Sequence, residues 1–80
     1  MAVNFTVDKK VDCTGSFCPV PVIRARQAVN AMAPGQVLEI VATDPGSKGD
    51  FRAFAKNTGH ELIHALEEGK VFTYYIRVSG

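Results

Sequence analysis

Residues 12–22 read DCTGSFCPVPV, and this stretch decides how the chain folds. Upstream of it the residues alternate. In residues 4–12, NFTVDKKVD, Phe5, Val7 and Val11 fall on one side, with Thr6, Asp8, Lys10 and Asp12 on the other. Only Lys9 breaks the pattern, and a period of two marks a half-buried strand. Downstream the period is helical. Val22, Ala25, Val29 and Met32 form a stripe, and Arg24, Gln27 and Asn30 lie off it. TGSF, between the two patterns, is turn material. The quoted stretch is therefore a strand-to-helix corner. It carries one thiol, Cys18, directly ahead of Pro19, with Pro21 just behind.

The rest of the chain extends the same logic. APG at 33–35 ends the first helix, because Pro34 cannot continue it. QVLEIVAT at 36–43 is mostly apolar and predicts a central strand. DPGSKGD at 44–50 is a loop, in which Ser47 followed by Asp50 reads as a capping box opening a second helix. Phe51, Phe54, Ala55 and Thr58 supply its inner face, and Gly59 is its stop. ELIHALEEGKVFTYYIRV at 61–78 reads as two strands around a turn at Glu68 and Gly69, the second with Phe72, Tyr74, Ile76 and Val78 on one face.

The order β-α-β-α-β-β predicts an α+β two-layer sandwich, with two helices on one face of a four-stranded mixed sheet. A right-handed first crossover makes the first two strands parallel. Loops that follow parallel strands share one edge of the sheet. The Cys18 corner and the 44–49 loop are therefore expected to be neighbours.

Composition narrows the function. Eighty residues predict one domain spanning 1–80. A 46% hydrophobic share is that of a folded chain rather than a disordered one. Nine basic against eight acidic residues give a net charge of +1, so direct nucleic-acid binding is not expected. No apolar run nears the ~20 residues of a membrane span, and no membrane insertion is expected. MAVNFTVDKK lacks the features of a signal peptide, which makes a cytoplasmic location and reduced thiols the expectation.

The corner suits thiol chemistry. A residue before proline is pushed toward extended geometry, which is also N-cap geometry. Cys18 fits the cap, and Pro19 fits the first helical position. A thiol at a helix N-terminus feels the positive end of the dipole, and its pKa falls. The blander alternative is a small apolar cysteine at a structural turn. Cys13 has two readings as well, a resolving or sulfur-sharing thiol and a strand-end cysteine filling a small space. Arg24, about two turns into the helix, with Arg26 and Lys48, forms either a positive rim or a solvated helix face.

Other motifs carry less. HELIH at 60–64 matches the H-E-x-x-H zinc motif, but Gly59 stops a helix just before it and no Asp, Glu, His or Cys follows Glu68. Two cysteines are too few for a closed zinc site, and no metal or cofactor is expected. Phe72, Tyr74 and Tyr75 lack interleaved basic residues until Arg77 and read as core and sheet surface rather than a base-stacking platform.

The pattern D-x-x-G-x-x-C-P-x-P at Asp12, Gly15, Cys18, Pro19 and Pro21 resembles the signature of the TusA (SirA-like) sulfur-carrier family. The likeness continues through Gly35, the following strand, Asp44-Pro45-Gly46, the second helix and Gly59-His60-Glu61-Leu62. It implies the same βαβαββ fold and a persulfide on Cys18, loaded by a desulfurase, a rhodanese or thiosulfate and removed by an acceptor thiol. Donor and acceptor proteins are the implied partners, and some members resemble accessories to a thiosulfate-uptake membrane protein. The family pattern does not require Cys13. A thiol–disulfide redox protein and a non-catalytic docking or regulatory module on the same fold are the alternatives.

Overall fold

The structure, a computed structural model, describes residues 6–15 and 20–79. The expected inward side chain of Phe5, the N-cap position of Cys18 and the first-turn position of Pro19 lie outside the described residues. The elements run β1 (Lys9–Cys13), α1 (Val20–Asn30), β2 (Val37–Ala42), α2 (Ser47–Thr58), β3 (Glu61–Glu68) and β4 (Val71–Arg77). The four strands form one mixed sheet in the order β1-β2-β4-β3. β1 and β2 are parallel, and β4 is antiparallel to both of its neighbours. This is the two-layer α+β arrangement that the hydrophobic pattern predicts, with β2 central as its apolar run requires.

Alternation sorts each strand into two faces. Val11 and Cys13, Leu38, Ile40 and Ala42, and Phe72, Tyr74 and Ile76 point to the helices, where they meet Ala25, Val29, Phe51 and Phe54. The Phe51 and Tyr74 rings stack with centroids 4.7 Å apart. Truncating a buried ring of this kind costs about 3–5 kcal/mol, a large part of the ~5–15 kcal/mol that holds a domain folded. The opposite face carries Lys10, Glu39, Tyr75 and His64 in one cross-strand row. Lys10 and Glu39 form an ion pair of 3.2 Å there, and the His64 and Tyr75 rings lie 5.8 Å apart.

Several local expectations change. The first strand begins at Lys9, although Asp8 extends its pairing. The Asp8 amide donates to the Val37 carbonyl at 2.9 Å, and the Asp8 carboxylate accepts the Val37 amide at 2.8 Å. α1 ends at Asn30, ahead of Pro34. The amides of Ala31 and Met32 bond carbonyls three residues back, which tightens the last turn and stops the helix earlier. Met32 thus lies past the helix but still packs, half-buried, on the core. Gly35, at φ 89°, makes the return into β2, and its amide bonds the Val78 carbonyl.

The capping box at Ser47 does not form. Gly46 takes the cap position without a side-chain bond, and Ser47 is the first helical residue, buried against the sheet. Its hydroxyl bonds the Tyr74 hydroxyl at 2.7 Å instead. Asp44 organises the helix entry in its place, accepting the Gly46 amide on its carboxylate and the Ser47 amide on its carbonyl. Gly59 does end α2 in the left-handed conformation, with its amide on the Ala55 carbonyl at 3.0 Å. The β3–β4 turn falls at Gly69 and Lys70, one residue later than expected.

Candidate functional site

The corner is built by β1, α1 and the β2–α2 loop. Asp12 closes the turn after β1 by accepting the Thr14 amide at 2.9 Å and the Thr14 hydroxyl at 2.7 Å on one carboxylate oxygen. These bonds, foremost the one from the backbone, hold the Asp12 carboxyl below its usual range; the Arg24 and Lys10 charges add to the effect. Gly15 then turns the chain at φ 80°, a conformation that side-chain-bearing residues resist. Its amide donates to the Thr43 hydroxyl at 2.9 Å. The loop after β1 and the loop after β2 are therefore neighbours, as their parallel strands imply.

α1 opens at Val20, and Pro21 is buried in its first turn, where an absent N–H breaks no helical bond. Arg24 sits about one turn in, closer to the start than expected. Its Nη1 donates to the Asp12 carbonyl at 2.9 Å, so the helix clasps the end of the strand that precedes it. Val20 and Ile23 are 42% and 49% exposed, an apolar step on α1 beside the corner. Sequence reasoning missed the exposure of Val20 and Ile23, the Arg24 clasp and the Thr43 anchor. The two apolar residues lay off the inner stripe and offered the only signal.

The expected site residues are not all brought together. Lys48 pairs with Glu67 and lies 5.7 Å from the centre of the Phe72 ring. Arg24 binds β1, and Lys48 faces β3 and β4. Since β1 and β3 are opposite edges of the sheet, about 14 Å apart at the usual strand spacing, the two cations do not make one cluster. Asp44 and Gly46 form the turn described above, and Pro45 is exposed beside them.

Cys13 is closed to chemistry. It is fully buried in the core as a free thiol. Burial pushes its pKa up, the Arg24 charge opposes the shift and the Asp12 charge reinforces it. A neutral, enclosed thiol is a poor nucleophile, since the thiolate is the attacking species.

The zinc-like match is not a site. His60 follows α2 and accepts the Ser79 amide at 3.0 Å on Nδ1, whereas His64 lies within β3. Among the described residues no three His, Cys, Asp or Glu side chains are grouped to hold a metal. No helix among them is long and apolar enough to cross a membrane.

Fold and corner together define a small α+β domain in which a helix with proline in its first turn follows a parallel strand, next to a turn that also follows a parallel strand. A model of the family described as sulfurtransferase TusA matches residues 9–78. The chain belongs to that family. It is 51% identical over 72 residues to a sulfur carrier protein TusA of Allochromatium vinosum, covering 90% of this chain and 95% of that one. It is 40% identical over 70 residues to a putative sulfur carrier protein, YrkI, of Bacillus subtilis, covering 88% and 93%. The crystal structure of a SirA-like protein from Desulfitobacterium hafniense shares the fold, with a TM-score of 0.78 at 24% identity over 90% of this chain and 99% of that one.

Proposed function

We propose that this protein is a sulfur carrier that holds a persulfide on Cys18. The observation that carries the reading is the burial of Cys13. A sulfur carrier needs a thiol that partners reach, and the chain has two cysteines. One of them is enclosed in the core with a raised pKa. That leaves Cys18, in the C-P-x-P segment between the Gly15 turn and the start of α1.

The exchange conserves atoms and electrons. The Cys18 thiolate attacks the terminal sulfur of a donor persulfide or the sulfane sulfur of thiosulfate. A new S–S bond forms on Cys18, the old one breaks, and the donor thiolate or sulfite leaves with the electron pair. An acceptor thiolate then attacks the outer sulfur, and Cys18 leaves as thiolate. No cofactor is required. A desulfurase or rhodanese fits the donor role, and the acceptor is a partner thiol. A thiosulfate-uptake membrane protein is a further partner within this reading. Partners meet the corner, the apolar step of Val20 and Ile23, and the turn at Asp44, Pro45 and Gly46, with Arg24 and Lys48 flanking on either side.

We read residues 1–80 as one such domain working in the cytoplasm, where thiols stay reduced. A Cys13–Cys18 disulfide cycle is disfavoured by the enclosure of Cys13. Intact mass after incubation with a cysteine desulfurase and cysteine separates the two chemistries. A gain of one sulfur atom, mapped to the peptide bearing Cys18, is the expected result. Loss of two hydrogens overturns the carrier reading in favour of the disulfide.

A further inference from the structure

Beside β3, on the side away from β1, α2 leaves the sheet partly uncovered. The gap is a cleft of about 250 Å³ floored by Phe72 and Tyr74, with Leu62 and Ala65 on the β3 side and Lys48 and Arg52 on the α2 side. Leu62 is only half-buried, and Ala65 is exposed although its partner in the register, Tyr74, is in the core. β3 is also the last strand of the sheet, so its outer edge pairs with no strand among the described residues.

The cleft's lining carries two cations, Lys48 and Arg52, and one acid, Glu67. Lys48, Arg52 and Lys56 recur every four residues along α2 and are all exposed, a spacing that lines up side chains on one helix face. Lys48 is neutralised by Glu67. Arg52 and Lys56 take part in none of the ion pairs found among the described residues. Like charges at this spacing repel within a helix by a few tenths of a kcal/mol, so local helix stability does not account for the stripe. An apolar floor lined by Arg52, with Lys56 one turn further along the same helix face, fits a ligand that is apolar at one point and anionic around it.

The size of the cleft narrows the ligand. Pockets for drug-sized molecules and cofactors run to about 300–1,000 Å³. This one is smaller and holds a single large side chain. We propose that the α2–β3 cleft docks an acidic segment of a partner protein, with one apolar side chain on Phe72 and its carboxylates on Arg52 and Lys56. The proposal goes beyond the persulfide reading and does not depend on it. Its consequence for a carrier is geometric. The cleft flanks the strand at the far edge from β1, so a partner held there leaves the corner after β1 open to a second protein. Tethering at one edge and exchange at the other let a carrier be retained while its cargo is released.

The test uses a fluorescein-labelled peptide, Asp-Glu-Leu-Phe-Glu-Asp. One control has its acids replaced by Ser and Asn, and another has Leu-Phe replaced by Gly-Ser. Anisotropy is expected to show saturable, salt-sensitive binding of the acidic apolar peptide and at least about tenfold weaker binding of each control. The double variants Arg52→Glu/Lys56→Glu and Arg52→Gln/Lys56→Gln, both at exposed positions, are expected to weaken it about tenfold or more. Lys9→Glu on the opposite edge and Cys18→Ser are expected to leave it unchanged. Amide shifts are expected to cluster at Arg52, Leu62, Ala65 and Phe72. Absence of saturable binding, equal binding by either folded double variant, or shifts clustered at Lys9 and Arg24 would overturn the proposal. So would a cleft occupied by a second copy, seen as a mass that doubles with concentration while the peptide is excluded.

Discussion

The amide of Gly15 donates to the Thr43 hydroxyl at 2.9 Å, joining two loops that are 28 residues apart in the chain. One bond thereby holds the start of the Cys18 corner against the end of β2. Thr43→Val keeps the shape and removes the acceptor. It is expected to speed hydrogen exchange at the Gly15 amide and to cost about 0.5–1.5 kcal/mol in urea unfolding. Unchanged exchange at Gly15 would show that the corner is held by other means.

Ser47 and Tyr74 form a buried hydroxyl pair at 2.7 Å that pins the start of α2 to β4. Ser47→Ala strands the Tyr74 hydroxyl in the core and is expected to cost about 1–3 kcal/mol. Adding Tyr74→Phe removes the stranded group, so the double variant should be more stable than the sum of the single changes predicts. Additive losses in a double-mutant cycle would mean that the bond contributes nothing.

Cys13 sets an alkaline limit. Its folded pKa lies above the ordinary value of 9.0 because burial favours the neutral thiol. The folded state therefore holds the proton after the unfolded chain has released it. The stabilisation is fully present below the unfolded pKa and is lost as pH rises through the folded one. Melting temperature is expected to fall less steeply above pH 9.0 in Cys13→Ala than in the parent. Cys13 should also resist alkylation until the chain unfolds. Identical alkaline slopes, or rapid alkylation of folded Cys13, would contradict its enclosure.

Asp12 works in the opposite direction. Its carboxyl titrates below the ordinary 3.8 because the Thr14 amide and hydroxyl favour the charged form. The resulting stability is present above the unfolded pKa and is lost as pH falls through the folded one. A carbon-detected titration of the Asp12 carboxyl is expected to give a midpoint below 3.8. Thr14→Ala, which removes the hydroxyl bond and leaves the amide bond, should move that midpoint part of the way back. A midpoint at or above the ordinary value would remove Asp12 from the account of the corner.

What could be read from the residues follows from the range of each interaction. Phe51, Phe54 and the Gly59 stop announced α2, and the alternation from Phe72 to Val78 announced β4, because one-sided burial prints a period onto neighbouring residues. Ser47 misled for the complementary reason. S-x-x-D is a local pattern, but the hydroxyl finds its partner 27 residues away. The Lys48–Glu67 pair and the Arg24 bond to the Asp12 carbonyl likewise leave no local trace. Pro34 marked an outer limit for α1, and the tightened bonds at Ala31 and Met32 ended it sooner. Cys13 and Cys18 are alike as letters. Alternation set Cys13 on the Val11 side of β1, as the strand-end reading has it, and the pairing opposite Ala42 encloses it in the core.

Isotope-labelled sulfur, followed by mass spectrometry through loading and discharge, tests the carrier claim most directly. Parent protein and Cys13→Ala are loaded from a desulfurase supplied with heavy-sulfur cysteine, then mixed with a folded acceptor that exposes a single thiol. One heavy sulfur atom is expected on the peptide bearing Cys18 in both proteins, and it should reappear on the acceptor thiol as the carrier returns to its starting mass. Cys18→Ser, folded by circular dichroism, is expected to take up none. Full loading of Cys18→Ser, or label that enters Cys18 and never reaches any acceptor thiol offered, would contradict the account.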